Sequence, residues 1–544
     1  MKKTKFMSLI AGVLVASFVL GGCAGSNAGT NASSESVAVS GVNEFPITEE
    51  PVTLSVFTGK SVVLENVETN AFTKWYEEKT NVKILWDFVS GDAQQSINLQ
   101  LASDDYSDVF LGFDFARSEQ TAYYDQGVFI DMSELIDKHA YYIKEMFKIN
   151  PDIEKAIRHT DNMILGIPNF NQDFSAEASD KMWVYKPWMD KLGAKMPETT
   201  DDLYELLKRF KTEDPNGNGV DDEIPLAGRG MRGNPVGLDM FIMNAFTQWT
   251  RFGFYNNNGK AEFAPIKGEA KEGLKYMRKL YSEGLIHPDS FVMDRARITS
   301  IAESETPILG AGTGKWTTQF TLAGAASGRA GEYVAIPPLK GPTGIRRTLY
   351  GQQDPGCTWF SITSNCKNPE VAVKWIDWFY SNESYLKTRA SDGIRKAEDG
   401  EIGLDGQQAL YVIEPVEENM GGAIQNERWL SFAPGFTSLE ENIRIKDNTI
   451  DAQRQQNAYE AYKLYEPYTN KGIAFVDFPV PSEDSEEYLE LRANITAAID
   501  SGVVGFIIGE KSIEDDWDAY VDNFYRLGLE RYMEIVQNYL DSTK

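Results

Sequence analysis

The chain is poor in cysteine, histidine and basic residues, and each shortage argues against a class of function. Its 544 residues include three cysteines and three histidines, with no H-E-x-x-H and no G-x-S-x-G segment. Zinc hydrolases and histidine-based triads are therefore disfavoured. Acidic residues outnumber basic ones, 81 to 53, for a formal net charge of −28. That charge argues against nucleic acids and anionic membrane surfaces as partners, and it suits neutral ligands and cations.

The N-terminus has the parts of an export signal. Lysines at positions 2, 3 and 5 precede an apolar run, Phe6 to Leu20, that is too short to span a bilayer comfortably. The run meets LGGC, which resembles the lipobox of bacterial lipoproteins, so residues 1–22 are predicted to be a signal peptide and Cys23 to carry a lipid. A plain secretory signal with an incidental cysteine is the alternative. Residues 23–50, rich in Ser, Gly, Ala and Asn, predict a flexible tether on the outer face of the cell membrane.

Two cysteines remain in the mature chain, Cys357 and Cys366. In an exported protein they could pair, but the sequence favours two buried free thiols. No function is assigned to them.

Apolar patterning predicts an α/β fold. Strands are expected over 52–59, 82–89 and 108–113, with helices over 70–80 and 96–103 between them. A chain of this length is too long for one core and predicts at least two lobes. Ligands of such folds bind beyond the carboxyl ends of the strands. The loops after the first and third strands therefore offer Lys60, Asp114 and Arg117 as candidate ligand contacts.

A ladder of oxygen-bearing side chains runs through DPNGNGVDDE, residues 214–223. Alternate acid and amide side chains, with glycine at the sixth position, match an EF-hand-type calcium loop. Pro225 occupies the place of the usual twelfth-position glutamate, so Glu223 is the expected substitute. A polar helix-to-strand connection with Asn-Gly turns is the alternative. The predicted ligands of a structural Ca²⁺ are Asp214, Asn216, Asn218, Val220, Asp222 and Glu223.

The segment LGAGTGKWTT, residues 309–318, resembles a phosphate-binding loop but fails its spacing. Gly310 to Gly314 is one residue short, and Lys315 precedes Trp316 where serine or threonine is required. The interpretation is a flexible loop that presents Trp316 to a ligand.

Four segments resemble those of a known family. They read WVYKPWMDKLGAKMPETTDDLYELLKRFKTEDPNGNGVDDEIPLAG, EGLKYMRKLYSEGLI, LKGPTGIRRTLYGQQDPGCTWFSITSNCKNPEVAVKWIDWFYS and FIIGEKSIEDDWDAYVDNFYRLGLERYMEIVQ. With the lipobox and the strand–helix opening, they resemble family 1 solute-binding lipoproteins of bacterial carbohydrate ABC importers, over essentially the whole mature chain. The long members that include the alginate-binding proteins are the most similar, and they carry the same DxNxNxxxDE pattern. One segment departs: where such members often have Gly-x-Glu-Gly and an aromatic residue, this chain has SDGIRKAEDGEIG.

The resemblance implies an α/β, two-lobe, type II periplasmic-binding-protein-like fold with three hinge crossings. They are expected near 168–180, 357–363 and 425–432. The lobes would be 51–168 with 360–425, and 180–356 with 430–544, the second holding the calcium loop. Such a monomer closes on an oligosaccharide and delivers it to the membrane permease of the importer.

Sugar recognition combines aromatic stacking with hydrogen bonds to hydroxyl groups. Trp375 and Trp378 lie on an amphipathic helix and are expected in the core, whereas other tryptophans lie in loops or crossings. Packing alone, or ordinary loop polarity, is the alternative for each candidate. Added to Lys60, Asp114 and Arg117, the candidates are Trp316, Trp359, Trp429, Asn169, Asn171, Gln352, Gln353 and Asp354.

Two other classes of function stay open at the level of sequence. A secreted glycoside hydrolase or lyase needs a pair of carboxylates, which a chain with 81 acidic residues could supply. A surface interaction lipoprotein would present an exposed face, and the expected hinge crossings argue against it. The main prediction is a binding protein without catalytic residues.

Overall fold

The computed structural model describes most of the chain from residue 37 onward. The described residues are 37–61, 64–90, 92–102, 105–159, 162–178, 180–230, 237–350, 358–389, 393–415, 424–469, 478, 480 and 482–542. The predicted signal peptide, Cys23, Gln352, Gln353, Asp354 and Cys357 lie outside them.

The strands are short and fall into several small sheets. They are β1 Val52–Thr58, β2 Val82–Phe88, β3 Val109–Phe115, β4 Phe170–Asn171, β5 Met182–Tyr185, β6 Phe254–Asn257, β7 Lys260–Phe263, β8 Ala311–Thr313, β9 Tyr333–Ile336, β10 Thr358–Ile362, β11 Ile394–Lys396, β12 Tyr411–Ile413, β13 Phe436–Thr437 and β14 Ile445–Asp447.

Helices make up most of the remainder. They are α1 Ala71–Thr80, α2 Ala93–Ala102, α3 Arg117–Asp125, α4 Ser133–His139, α5 Tyr142–Ile149, α6 Pro151–Ile157, α7 Phe174–Glu177, α8 Lys186–Leu192, α9 Thr200–Thr212, α10 Leu238–Ile242, α11 Gly268–Ser282, α12 Arg295–Ala302, α13 Arg329–Glu332, α14 Pro369–Asp377, α15 Asn382–Arg389, α16 Leu439–Ile443, α17 Ala452–Tyr465, α18 Ser482–Ile508, α19 Trp517–Arg526 and α20 Leu529–Ser542.

A four-stranded sheet of order β10-β3-β1-β2 organises the first core. The first three strands in sequence are parallel, and β10 adds an antiparallel edge from much later in the chain. The predicted alternation of strands and helices over 52–113 is therefore confirmed. Trp375 and Trp378 are buried in this core, as their helical spacing predicts.

The second core surrounds a three-stranded antiparallel sheet of order β8-β5-β9 and several helices. Helix α9 shows how the sequence specifies them. The Thr199 side chain accepts from the Asp202 backbone N–H, and the Asp202 carboxylate accepts from the backbone N–H of Thr199, which together form a capping box. The apolar face of α9 then packs inward, with Leu203 and Phe210 both fully buried.

Helix α18 is unusual in length and apolarity. Among the described residues, its segment 487–508 is the one candidate that could cross a membrane by length and composition. Ile495, Ile499 and Val503 are fully buried in the second core. Burial in the second core explains the apolar residues at these three positions.

The chain passes between the two cores at three places. The first crossing lies between Phe170, in the first core, and Phe174, in the second. The second crossing returns to the first core between Leu349 and Trp359, across residues that the structure does not describe. The third passage lies between Ala433 and Leu439.

The third crossing was predicted too early, at 425–432. Trp429 in that range is packed in the first core and Phe436 still packs against it, so the chain leaves that core after residue 436. The first and third crossings lie side by side as the parallel pair β4 and β13, in which Phe170 N–H donates to Gly435 O over 2.9 Å.

The predicted flexible tether is shorter than expected, because residues 37–50 pack on the first core. Ile47 is fully buried, and Lys374 Nζ donates to the carbonyls of Ser40 and Gly41 over 3.1 and 2.5 Å. Asn81 Nδ2 donates to Thr48 O over 3.1 Å. The Ser- and Gly-rich composition of the predicted tether suggested flexibility, and the few apolar residues that hold this segment on the core were therefore missed.

Cys366 carries a free thiol near the edge of the first core. Burial raises the pKa of this thiol to about 12, so it stays protonated at neutral pH.

Candidate functional site

A β-bulge at the carboxyl end of the first sheet sets the position of Trp359. The pairing of β10 with β3 shifts register between Thr358 and Phe360, so Trp359 stands opposite extra residues of β3. Gly112, with φ +82°, lies beneath the indole: a Cβ built on it would stand 3.8 Å from Trp359 Cζ2 and 3.6 Å from Thr58 Oγ1. A β-bulge changes the direction in which a strand's side chains point. The bulge brings Trp359 to the loops that follow β1 and β3.

Two polar atoms near this bulge are buried without a hydrogen-bond partner. They are the indole Nε1 of Trp359, a donor, and Oδ1 of Asn169, an acceptor. Their segments are adjacent, since Trp359 N–H donates to Ile167 O over 2.9 Å. A buried polar atom left unpaired costs about 1–3 kcal/mol, a cost that a ligand with hydroxyl groups can remove. Both residues were predicted as ligand contacts, and this geometry favours that role.

A cavity of about 210 Å³ lies beside the carboxyl ends of β1 and β2. Its lining includes Lys60, Glu65, Glu68, Phe88 and Phe432. The ammonium of Lys60 stands 5.4 Å from the centre of the Phe88 ring. The predicted contact Lys60 therefore lines a concave surface that also carries two carboxylates.

Arg117 has a structural partner at the end of a helix. Its guanidinium donates to the carbonyl oxygens of Ala156 and of Arg158, the latter over 2.6 Å, at the C-terminus of α6. Cations are stabilising at this end of a helix. These bonds give Arg117 a structural role at α6, and its contact with a ligand stays a prediction. Asp114, on β3, is exposed and keeps its candidate role.

Trp429 is a core residue, so its prediction as a cleft residue is wrong. Its side chain is 1% exposed, and its indole N–H donates to Thr73 Oγ1 over 2.8 Å. The ring stacks on Phe379 at 5.2 Å between centroids and meets Phe72 edge-on at the same distance. No face of the indole is left for a sugar.

Four aromatic rings meet where the chain enters the second core; we call them the crossing wall. Buried Phe174 contacts Trp316, Tyr459 and Tyr462 at centroid distances of 5.8, 5.8 and 6.0 Å. These three rings are half-buried, so each combines a packed side with an open one. Half-exposed rings of this kind can stack on the C–H faces of sugars. Trp316 was predicted for this role.

Tyr459 and Tyr462 were missed at the level of sequence. They stand three residues apart on α17, with fully buried Tyr465 three residues further on. That stripe is typical of a core-facing helix, and Tyr465 follows the pattern. Phe174, which is far away in sequence, packs against the rings of Tyr459 and Tyr462 and makes them part of the crossing wall.

The phosphate-loop-like segment is a strand and a turn held by an ion pair, not a flexible loop. Lys315 Nζ lies 2.6 Å from Asp173 Oδ2, across the first crossing. Gly310 serves packing: a Cβ there would stand 2.6 Å from Phe210 Cδ2 and 2.9 Å from Pro225 O. This segment therefore fixes Trp316 in the crossing wall.

Asn171 and Glu177 lie close to this junction. Asn171 belongs to the hinge strand β4, opposite Thr437, and is half-buried. Burial raises the pKa of Tyr350, and the charges of Glu177 and Asp152 add to the effect. Asp152 belongs to the first core's α6, so the Tyr350 hydroxyl is within electrostatic reach of carboxylates on both sides of the first crossing.

A fully buried lysine lies directly behind the crossing wall. Lys181 Nζ donates to the carbonyls of Ser175, over 2.8 Å, and Ala178. Burial lowers the pKa of Lys181 to about 7, against the raising effect of Asp173 and Asp180. The ammonium is thus held near its titration point beside the first crossing.

The predicted calcium loop is closed by hydrogen bonds among its own residues. Asp214 accepts from the backbone N–H of Gly217 and of Gly219, over 2.8 and 3.1 Å. Both amides, Asn216 and Asn218, donate to the Asp222 carboxylate, at 2.8 Å and at 3.2 and 3.0 Å. Gly219 has φ +74°, the sharp turn that the sixth position requires.

Glu223 gives the most direct evidence that the loop fits a cation. Its Oε1 is buried without a hydrogen-bond partner. Burial raises the pKa of Glu223, and the charges of Asp214 and Asp222 raise it further. No three His, Cys, Asp or Glu side chains converge on a metal position within the described ranges, so the amide oxygens of the loop are needed as ligands. The oxygen-only donor set suits Ca²⁺.

The loop is continuous with the crossing wall through the sheet. Ile224 N–H donates to Ile308 O over 2.7 Å, and Ala227 N–H to Ala311 O over 3.0 Å. Residues 224–227 thereby extend the sheet beside β8, which leads to Trp316. A cation in the loop would fix the neighbouring strand.

Comparison with known proteins agrees with this geometry. Residues 62–385 match the model of the bacterial extracellular solute-binding protein family. The fructooligosaccharide ABC transporter substrate-binding protein FusA of Streptococcus pneumoniae is 27% identical over 560 residues, covering 99% of this chain and 98% of that protein.

Solved structures show the same fold. An EF-hand mutant of FusA with fructo-nystose superposes with a TM-score of 0.69 at 24% identity, over 90% of this chain and 99% of that one. An extracellular solute-binding protein of Bifidobacterium longum subsp. infantis reaches 0.74 at 25% identity, over 90% and 98%. The predicted type II binding-protein fold is confirmed. The chain belongs to the bacterial extracellular solute-binding protein family.

Proposed function

We propose that this protein captures an oligosaccharide outside the cell and delivers it to the permease of an ABC importer. The observation that carries the proposal is the junction between the cores. There the half-buried rings of the crossing wall lie on one side, and the unpaired polar atoms of Asn169 and Trp359 on the other. Stacking surfaces and unpaired hydrogen-bonding groups are the two requirements of a sugar site.

The relatives support the class of ligand. The name of FusA states that it binds fructooligosaccharides for an ABC transporter, and the alignment covers nearly all of both chains. Its relationship to this chain extends over both cores and all three crossings. A shared transport role is therefore a better match than a carbohydrate-active enzyme.

Closure of the two cores around the ligand is the proposed mechanism. A sugar held between them makes contacts from both sides only in the closed state, so binding shifts the population toward closure. The parallel hinge strands β4 and β13 are short, with two residues each, and can bend without breaking either core. The permease would recognise the closed form.

A structural Ca²⁺ and a lipid anchor complete the proposal. Asp214, Asn216, Asn218, Val220, Asp222 and Glu223 would hold the ion, which would pin the connection between α9 and residues 224–227. Cys23 would carry the lipid that retains the protein at the membrane. Replacement of Cys23 by alanine is expected to move the protein from the membrane fraction to the medium, and retention at the membrane would contradict the anchor.

We further propose that the protein has no catalytic activity. Glu223 and Asp377, whose carboxyl pKa values are raised by burial, lie in the calcium loop and in the first core. Asp377 accepts from the backbone N–H of Tyr141 and of Ile143, so it has a structural role. Neither is placed to protonate a sugar in the cleft.

Thermal melting of the mature protein against an oligosaccharide panel tests the proposal. A ligand at 100 times its Kd stabilises by about 2.7 kcal/mol, which a melt detects easily. A shift with at least one sugar, with that sugar recovered intact afterwards, is the expected result. Cleavage of the sugar would favour the enzyme, and no shift with any sugar would contradict capture of an oligosaccharide.

A further inference from the structure

The chain contains three Asn-Gly pairs, and two of them lie inside the predicted calcium loop. They are Asn216-Gly217, Asn218-Gly219 and Asn258-Gly259. Asparagine followed by glycine is especially prone to deamidation, because glycine has no side chain to shield its backbone nitrogen from the asparagine side chain. Each pair is therefore a candidate modification site, and the bonds around it decide how readily it reacts.

Deamidation at such a pair uses the glycine nitrogen as the nucleophile. This nitrogen attacks Cγ of the preceding asparagine, the Cγ–Nδ2 bond breaks, and the amide nitrogen leaves as ammonia with the proton of the glycine N–H. Water then opens the cyclic succinimide to aspartate or to isoaspartate, and no other reactant is needed. The first step is opposed wherever the glycine N–H donates a hydrogen bond and the asparagine side chain is held in place.

In the calcium loop, one carboxylate holds both glycine nitrogens. Gly217 N–H donates to Asp214 Oδ1 over 2.8 Å, and Gly219 N–H donates to Asp214 Oδ2 over 3.1 Å. Hydrogen bonds to a charged group are stronger than those between neutral groups. The nucleophiles of both pairs are therefore tied to a single side chain.

The two asparagine side chains of the loop are held at both ends. Asn216 Oδ1 accepts from the Asn218 backbone N–H over 2.9 Å, and Asn216 Nδ2 donates to Asp222 over 2.8 Å. Asn218 Oδ1 accepts from Val220 N–H over 2.7 Å, and Asn218 Nδ2 donates to the two oxygens of Asp222 over 3.2 and 3.0 Å. Rotation of either amide toward the next glycine would break the bonds at both of its ends.

Two features of the loop favour its opening when no cation is bound. Residues 217–221 are exposed, so water reaches the loop. Asp214, Asp222 and Glu223 place three negative charges in one short loop, and their repulsion is relieved when the loop opens. Opening would release both glycine nitrogens from Asp214 at once.

The third pair lies in the hairpin between β6 and β7 and provides an internal reference. Gly259 N–H donates to the neutral side chain of Asn256 over 2.7 Å, and Asn258 Nδ2 donates to Asn257 Oδ1 over 3.3 Å. The hairpin packs in the same core as the calcium loop, through Phe254 and Phe263. Its reaction rate therefore responds to unfolding of the second core but not to opening of the calcium loop alone.

We propose that Asn216 and Asn218 are deamidation sites that react when the calcium loop opens. In the closed loop, the carboxylates of Asp214 and Asp222 suppress the reaction. Bound calcium suppresses it further by favouring the closed loop, and this part rests on the calcium site of the proposed function. Isoaspartate lengthens the backbone by one methylene, which disturbs the spacing of oxygens that calcium coordination requires. Time spent without a cation would therefore cause an irreversible loss of calcium binding.

Peptide mapping of the aged protein by mass spectrometry provides the test. The mature protein is incubated at mildly alkaline pH in calcium or in chelator, and aspartate and isoaspartate are quantified over time at the three asparagines of the Asn-Gly pairs. In chelator, the loop asparagines are expected to react roughly tenfold faster than in calcium, equivalent to about 1.4 kcal/mol of easier opening. The rate at Asn258 should be the same in both conditions.

Substitution separates the effect of the carboxylate from that of the ion. In chelator, Asp214→Ala is expected to raise the loop rates by roughly a further threefold to tenfold, because both glycine nitrogens lose their charged acceptor. Asp221→Ala, at an exposed position in the same loop, is the matched control and should react like wild type. If Asp214→Ala also raises the rate at Asn258, Asp222→Asn replaces it, since that change keeps the size of the side chain and weakens its hold on the two amides.

The outcomes separate the carboxylates, the ion and the cargo. Loop rates that neither chelator nor the substitutions increase would overturn the proposal, as would an equal rise at Asn258 in wild type. Faster reaction in the variants, with no effect of chelator in wild type, would support the protective carboxylates and overturn the role of calcium. Because no sugar is present, none of these results bears on the capture of an oligosaccharide, which the melting panel tests separately.

Discussion

Two aromatic clusters of similar composition have opposite roles in this protein. Around Trp429, rings stack face to face and edge to face, with the indole N–H bonded to Thr73 and 1% of the side chain exposed. Around Phe174, the outer rings stay half-buried and are bordered by ion pairs. The first cluster fills a core, and the second forms the half-exposed surface that we propose stacks on the ligand. The difference lies in what borders the rings rather than in the rings themselves.

The largest effect is expected from Trp429→Ala, which tests the first side of this comparison. Removal of a fully buried tryptophan costs about 3–5 kcal/mol of stability. The affinity of the folded fraction for sugar should be unchanged, because the indole has no face toward the cleft. Denaturant unfolding with titration at low temperature measures both quantities. A loss of affinity without a loss of stability would contradict the assignment of Trp429 to the core.

Substitutions in the calcium loop test whether the stability of the second core depends on a bound cation, which the first core does not need. Asp214→Ala is expected to lower the melting temperature and to abolish the stabilisation by added calcium, about 2.7 kcal/mol at 100 times the Kd. Asp221→Ala, at a neighbouring exposed position outside the predicted ligand set, is the matched control. An identical response of wild type and Asp214→Ala to chelator would argue for a plain polar connection.

Trp316→Ala tests the second side of the comparison directly. Loss of one stacking surface is expected to weaken sugar binding roughly tenfold, or about 1.4 kcal/mol, with a smaller effect on stability than Trp429→Ala has. Titration with the sugar that stabilises most gives the affinity, and a melt without sugar gives the stability. If affinity is unaltered while stability falls by several kcal/mol, Trp316 belongs with Trp429 as a packing residue.

The most gradual effect, spread over several pH units, concerns the charge buried behind the crossing wall. The pKa of Lys181 is about 7 in the folded protein against 10.5 ordinarily, so the unfolded state binds more protons between these values. Stability should therefore rise with pH across this window, by at most about 1.4 kcal/mol per pH unit.

The Lys181 contribution can be isolated by substitution. Melts from pH 7 to 9 should show a rise in wild type that is smaller in Lys181→Met. Lys186→Met, an exposed lysine on α8, should keep the full rise. If Lys181→Met and wild type respond equally to pH, Lys181 titrates near its ordinary pKa.

Local patterns in the sequence predicted the local structure well. The alternation over 52–113 and the inward face of α14 both depend on neighbours within a few residues. The same holds for the turns of the calcium loop, where Asp214 bonds to backbone groups three and five residues on. Short-range chemistry was enough for these elements.

Long-range contacts could not be predicted in the same way. The partner of the Trp429 indole, Thr73, is 356 residues away, and no local pattern separates Trp429 from Trp316. The bulge that places Trp359 forms between β3 and β10, which are distant in sequence. The sequence predicts Arg117 in a cleft-side loop. In the structure it caps the C-terminus of α6, because that helix ends beside it.

Because of the burial pattern of the tryptophans, the intrinsic fluorescence of the protein can report on sugar binding. Eight of the eleven indoles are buried, and the partly exposed ones are Trp75, Trp316 and Trp359. Trp75 is covered by Lys79 and Lys387, at 5.2 and 5.0 Å from its ring. The remaining two emitters stand on the two sides of the cleft. A change in intrinsic fluorescence on adding sugar would therefore arise chiefly from these two indoles, and replacing each one singly by phenylalanine would tell which of them responds to the sugar.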